Sequence, residues 1–271
     1  MYKLKELISD HLTEDTPVNP KALILAGAPG AGKSSFIEGV KDALILNVDD
    51  YYIRNLKDLG VSLDLKNADA EDRSKAAKAM AAANKEFRPM TREIILGKKN
   101  FILDGTAASS RPTLQMKEEL EELGYEVMMV YVFASLEKSL DRNETRFQRS
   151  QGEDRSLPPA IVMRTWNLIT QNYDLYKDEF GDNFISVVND KALKKGEPQK
   201  SLEDLLSTYV DPYRPTDTKP KTDKQKERSQ KSREDLYKQI EDFVASNKVE
   251  DIKQNSFTKK EAKQKVNQFF S

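Results

Sequence analysis

Residues 22–35 read Ala-Leu-Ile-Leu-Ala-Gly-Ala-Pro-Gly-Ala-Gly-Lys-Ser-Ser, and this stretch decides the fold. The first five are an uninterrupted apolar run ending at a glycine, which reads as a short strand buried on both faces. The next eight fit the spacing G-x-x-x-x-G-K-[ST]. Glycines at those places let a backbone wrap an anion with its N–H groups inward, and the Ser-Ser-Phe-Ile-Glu-Gly-Val that follows opens a helix whose positive end faces the same anion. Gly27, Ala28, Pro29, Gly30, Ala31, Gly32, Lys33, Ser34 and Ser35 therefore form a candidate phosphate cradle. Lys33 has the reach for β- and γ-phosphates, and Ser34 carries a hydroxyl suited to Mg²⁺. The plainer alternative is a glycine-rich strand-to-helix turn.

Working outward, apolar runs alternate with helical stretches. Ala22–Ala26, Leu44–Val48, Phe101–Leu103, Val127–Phe133 and Phe184–Val188 read as buried strands. Ser34–Asp42, Asp69–Gly97, Thr113–Leu123, Leu136–Arg149 and Pro159–Phe180 read as helices. Uniformly apolar strands separated by helices predict an α/β fold: a parallel sheet covered on both faces. Trp166, Ile169, Tyr173 and Tyr176 have helical spacing and read as core. Residues 1–18 are expected as a helix laid on the outside.

Ligands of such sheets bind at the carboxyl ends of the strands. The second run ends in Asn47-Val48-Asp49-Asp50-Tyr51-Tyr52, so Asp49 and Asp50 fall beside the cradle. A carboxylate there can take the proton of an attacking hydroxyl, or it can simply cap the next turn. The third run ends in Asp104, which can hold Mg²⁺ or its water shell, orient a substrate, or cap the turn at Gly105 and Thr106. Asn189 ends the fifth run, at a place suited either to a nucleotide base or to a plain turn. Lys138, Arg142, Arg146 and Arg149 share one sector of the 136–149 helix, opposite Leu136, Leu140 and Phe147. Such a stripe suits a polyphosphate, where guanidinium forks bind bidentately, and otherwise is a solvated face. The polar loop after it, closed by Pro158 and Pro159, reads as a hinge, which makes residues 136–158 a candidate lid.

Composition sets limits. The chain has 271 residues, with 44 Lys/Arg against 45 Asp/Glu, no cysteine and one histidine, His11. Disulfides, thiolate metal sites, cysteine nucleophiles and histidine clusters are thereby excluded. The N-terminus has no uninterrupted apolar region of the secretory kind and no run approaches a membrane span, so a cytoplasmic protein without membrane contact is expected. Residues 214–233 contain eight Lys/Arg, three Asp/Glu and no large apolar side chain. They predict a flexible basic linker, 212–233, between a core domain, 1–211, and a helical tail, 234–271. In the tail, Thr258 with Glu261 forms a capping box. The positive excess of the tail suits folding back on the acidic remainder or holding a protein or other anionic partner.

The order of these segments, GAPGAGKSS, NVDDY, FILDGT, LDRNETR and RSLP, resembles the P-loop kinases of the zeta-toxin and polynucleotide 5′-kinase type over about residues 20–190. The resemblance implies a P-loop NTPase three-layer sandwich with strand order 2-3-1-4-5, ATP or GTP as donor with Mg²⁺, and transfer to a hydroxyl of a small molecule, nucleotide-sugar or nucleic-acid end. It implies Asp49 as general base, Lys33 as a catalytic cation, Arg142 and Arg146 as the lid pair, and Arg155 with Pro158 as the R-x-[VL]-P element supporting the donor phosphates. Where polynucleotide kinases carry arginine after D-D-Y, this chain has Tyr52. The other class of function compatible with the residues is a non-transferring NTPase or scaffold that holds a partner through its basic tail. That class does not need Asp49.

Overall fold

The computed structural model describes residues 19–40, 42–190, 204 and 222–271. The expected helix over residues 1–18 and the boundary at 211 lie outside them.

Strands β1 (Lys21–Ala26), β2 (Leu44–Leu46), β3 (Phe101–Asp104), β4 (Glu126–Phe133) and β5 (Phe184–Val188) form one sheet of order β2-β3-β1-β4-β5. All pairs are parallel, with Ala22 beside Phe101 and Val127. The apolar runs have their cause in this arrangement. Ala22, Ile24 and Ala26 face one layer and Leu23 and Leu25 the other, so every position of β1 meets packing.

Between the strands run α1 (Ser34–Ile37), α2 (Val48–Asp58), α3 (Ala70–Leu96), α4 (Ser110–Glu122), α5 (Leu136–Arg149), α6 (Pro159–Gln171) and α7 (Tyr173–Phe180). After β5 come α8 (Asp223–Ala245), α9 (Lys248–Gln254) and α10 (Lys259–Phe270). Leu120 of α4, Trp166 and Ile169 of α6 and Tyr176 of α7 fill the first layer. The four residues with helical spacing, Trp166, Ile169, Tyr173 and Tyr176, are buried as expected.

Several expectations are corrected. The helix after the cradle is one turn, because the chain leaves helical geometry at Glu38 and Gly39 takes φ +91°. The second strand ends two residues early. Asn47 caps α2 through a hydrogen bond from the Asp49 N–H, 2.8 Å, so the two aspartates sit in the first turn of a helix. That is where carboxylates are favoured.

The largest correction concerns the tail. Among residues 212–233, those from 223 onward are not a flexible linker: they form the outer half of α8. Lack of apolar side chains prevents burial but not helix. Lys, Arg, Gln and Glu are good helix formers, Thr222 and Gln225 make a capping box, and the far half of α8 is anchored by Ile240 and Phe243. The stretch 234–271 is helical, as expected, and it packs on the core. Ile240, Phe243 and Ile252 complete one layer of the core, and Ala262, Val266, Phe269 and Phe270 join Phe36 and Ile37 to make the other. The Phe257 N–H also donates to the Ser186 carbonyl, 2.8 Å, which covers the edge of β5.

Candidate active site

The carboxyl ends of β1, β2, β3 and β5 place Gly27, Asn47, Asp104 and Asn189 along one edge of the sheet. The loop after β1 packs tightly there. Gly30 has φ +81° and an added Cβ would lie 2.4 Å from the Ser139 carbonyl oxygen of α5. Gly32 has φ +89° and its Cβ would lie 2.2 Å from Asn189 Nδ2. Only glycine combines that conformation with that approach. Lys33 folds over its own loop and donates to the carbonyls of Gly27, 2.8 Å, and Ala28, 3.2 Å. Burial depresses the Lys33 ammonium to about 8, against an opposing pull from the Asp104 carboxylate. Ser35 donates to the Gly32 carbonyl, 2.8 Å, while Ser34 faces the cavity.

Asn47 links the Asp104 carboxylate to the backbone at the start of α2. Its Oδ1 accepts from the Asp49 N–H and its Nδ2 donates to Asp104 Oδ2, 3.0 Å. Desolvation holds the Asp104 carboxyl above its ordinary range, with Lys33 acting the other way. Asp49 lines the cavity and Asp50 turns to solvent, so the neighbouring pair is resolved into one inner and one outer carboxylate.

Each lid arginine has a partner within the protein. Arg142 donates to the carbonyls of Gly30, 3.1 Å, and Asn189, 2.7 Å. Asn189 Nδ2 itself donates to the Ala31 carbonyl, 2.7 Å, so both side chains brace the loop. Arg146 pairs with Asp154. Arg155, expected near the donor phosphates, instead has Nη2 on both oxygens of Asp49, 2.6 and 2.7 Å.

These groups enclose a cavity of about 950 Å³. One end of the cavity is formed by the loop with Lys33 and Ser34, beside Asp104 of β3. Its other end is formed by Tyr52 of α2, Leu65, and Arg73, Ala76 and Met80 of α3. The insert that builds this second end has its own small core around Tyr52, Leu56, Leu63 and Ala79. It is tied to the lid side by Ser156 on Asp64, 2.7 Å, by Lys66 with Glu144, 2.7 Å, and by Lys57 with Glu153. The volume is at the upper end of small-molecule sites.

Of the expected site residues, Pro29, Gly30, Gly32, Lys33, Ser34, Asp49, Asp104, Arg142, Arg146 and Arg155 line this cavity, and Gly27, Ala28, Ala31, Ser35 and Asn189 do not. Ser35 and Asn189 instead bond to carbonyls of the loop. Asn47, Asp154 and Tyr52 were not anticipated. An asparagine with acids two and three residues after it is a helix-start signal, and it would have revealed Asn47. The partners of Asp154 and Tyr52 lie about a hundred residues away or across the lid loop, and local pattern does not carry them.

The donor set fits a divalent cation: a serine hydroxyl and a half-buried carboxylate are hard oxygen ligands of the sort Mg²⁺ takes together with water and phosphate. Among the described residues there is no cluster of three or more His, Cys, Asp or Glu placed to hold a metal by itself. No described helix is long and apolar enough to cross a membrane.

Known proteins resemble the chain at low identity. A structure of AvrRxo1-ORF1:-ORF2 with ATP aligns at TM-score 0.50 and 13% identity, covering 97% of this chain and 83% of that one. The PezAT chromosomal toxin–antitoxin system of Streptococcus pneumoniae aligns at TM-score 0.42 and 16% identity, over 90% of this chain and 96% of that one. The Pnkp1/Rnl/Hen1 RNA repair complex aligns at TM-score 0.43 and 19% identity, over 60% of this chain and 48% of that one. No curated protein matches. The zeta toxin family profile matches residues 6–197, most of the chain and every strand of the sheet, and the chain belongs to that family.

Proposed function

We propose that this protein is a kinase that transfers the γ-phosphate of ATP or GTP to an alcohol. One observation carries the reading: Asp49 lines the same cavity as the Lys33 loop, its backbone N–H capped by Asn47 and its carboxylate held by Arg155. A nucleotide switch has no use for a carboxylate so held.

The donor's β- and γ-phosphates lie in the loop. Lys33 leaves the two loop carbonyls for the phosphates, a favourable exchange of a neutral partner for an anion. Ser34 and Asp104 would hold Mg²⁺, which supplies charge neutralisation on the β- and γ-oxygens. Asp49 accepts the proton of the acceptor hydroxyl as the new O–P bond forms and the bond from the γ-phosphorus to the β,γ-bridging oxygen breaks. The departing nucleoside diphosphate keeps the electron pair. Arg142 and Arg146 come from the lid and stabilise the equatorial oxygens as the phosphoryl group passes. Asn189 and Arg142 keep the loop in shape. The acceptor occupies the end lined by Tyr52, Leu65, Arg73 and Ala76.

The test is a γ-labelled ATP and GTP transfer assay against separate pools of RNA ends, DNA ends, nucleotide-sugars and small metabolites. Label in a product of one pool is expected. ATP binding with no labelled product in any pool, including water, would favour the nucleotide-dependent scaffold.

A further inference from the structure

Tyr52 has no part in the chemistry above, yet it is buried, 6% exposed, at the acceptor end of the cavity. It stands one helical turn after Asp49 on α2, so the two side chains share a face. Arg155 lies between them. Its guanidinium carbon is 5.3 Å from the centre of the Tyr52 ring, within cation–π range, while Nη2 reaches both Asp49 oxygens.

The main chain around Arg155 is pinned independently of its side chain. The Arg155 N–H donates to Asp154, 2.8 Å, and the Ser156 N–H donates to the Leu63 carbonyl, 3.1 Å. Leu157 and Asn143 exchange a pair of hydrogen bonds, 2.9 and 2.8 Å. The loop therefore delivers the guanidinium to a defined place, but its plane is set by what it rests on. Arg155 is 8% exposed, and its buried Nε has no hydrogen-bond partner. A planar fork free to turn would satisfy Nε by gripping the carboxylate with two nitrogens, the commoner geometry. Here one nitrogen holds both oxygens.

We propose that Tyr52 is a positioning residue for phosphoryl transfer: its ring is the platform that fixes the Arg155 guanidinium and, through it, the Asp49 carboxylate toward the acceptor hydroxyl. The proposal rests on the assignment of Asp49 as base. It follows that the ring matters and the phenol hydroxyl does not. It follows too that Tyr52 acts on the rate of transfer and not on the grip on the donor.

The experiment compares wild type with Tyr52→Leu, Tyr52→Phe, Arg155→Gln and the Leu/Gln double variant, measuring kcat for phosphate transfer and the Kd of MgATP. Tyr52→Leu keeps an apolar side chain in the small core and is expected to lower kcat roughly tenfold or more, as small misplacements of a reacting group do. Its MgATP Kd should stay within about twofold, since no donor contact is removed. Tyr52→Phe should restore most of the lost rate. In the Arg155→Gln background, Tyr52→Leu should add nothing. Equal losses in the Phe and Leu variants, a full rate in Tyr52→Leu, or additive effects in the double variant would each overturn the proposal. Melting temperatures of wild type, Tyr52→Leu, Arg155→Gln and the double variant read the stacking without turnover: a double variant that loses clearly less than the sum of the two single losses supports it, and additive losses overturn it. If wild type transfers no phosphate, the kinase reading fails by itself, and the melting cycle still decides whether Tyr52 holds Arg155.

Discussion

Lys33 carries the clearest consequence of burial at a single residue. Its ammonium is depressed to about 8 while it rests on loop carbonyls, and a bound polyphosphate would favour the charged form and raise it again. Binding therefore takes up a proton above about pH 8, and affinity falls as pH rises through that value. MgATP titrations by calorimetry between pH 7 and 9.5 should show affinity holding to about pH 8 and then dropping, by up to about tenfold per pH unit. The weak residual binding of Lys33→Ala should lack this dependence. At this level much was legible. The candidate cradle and Lys33 follow from the motif and Asp104 from a strand end, since both are local, whereas Asp49 lies in the first turn of α2. The partners were not legible: Arg155 reaches Asp49 across 106 positions of chain, and Arg142 braces the loop from α5.

Among the elements, the one-turn α1 and the terminal α10 depend on each other. Phe36 and Ile37 pack with Val266, Phe269 and Phe270 against Leu23 and Leu25, so the helix that follows the phosphate loop is supported by the end of the chain. Phe270→Ala should cost about 3–5 kcal/mol, the usual range for a buried phenylalanine. Denaturant unfolding checks the value, and a loss under ~1 kcal/mol would mean that the site collapses freely or that α10 is not seated there. The loop itself tolerates no side chain at Gly30, where a Cβ meets the backbone of Ser139. Gly30→Ala should lose MgATP binding by calorimetry more severely than it lowers the melting temperature. Periodicity found most strands and helices. It missed α2, because the cap Asn47 and the first helical residue Val48 continue the apolar run of β2 in the sequence. It overextended the helix after Ser34, because Gly39 was not weighed as a stop.

The described residues form one α/β unit, in which residues 222–271 supply side chains to both layers. A chain ending at residue 211 loses Ile240, Phe243, Ile252, Val266, Phe269 and Phe270 from the core. It should be insoluble on expression, or show no cooperative melt; a soluble 1–211 chain whose melting temperature rises with MgATP would contradict this. Composition alone suggested a detachable tail, because the charged outer half of α8 hides how firmly its other half is held. The central claim is that a single carboxylate beside a phosphate loop makes this fold a phosphotransferase. Asp49→Asn tests it most directly, with γ-phosphate transfer and MgATP affinity measured on the same preparation. Transfer should fall by about 10²–10⁴ while affinity changes only a few-fold; an Asp49→Asn protein that binds MgATP and transfers phosphate at the wild-type rate would contradict the claim.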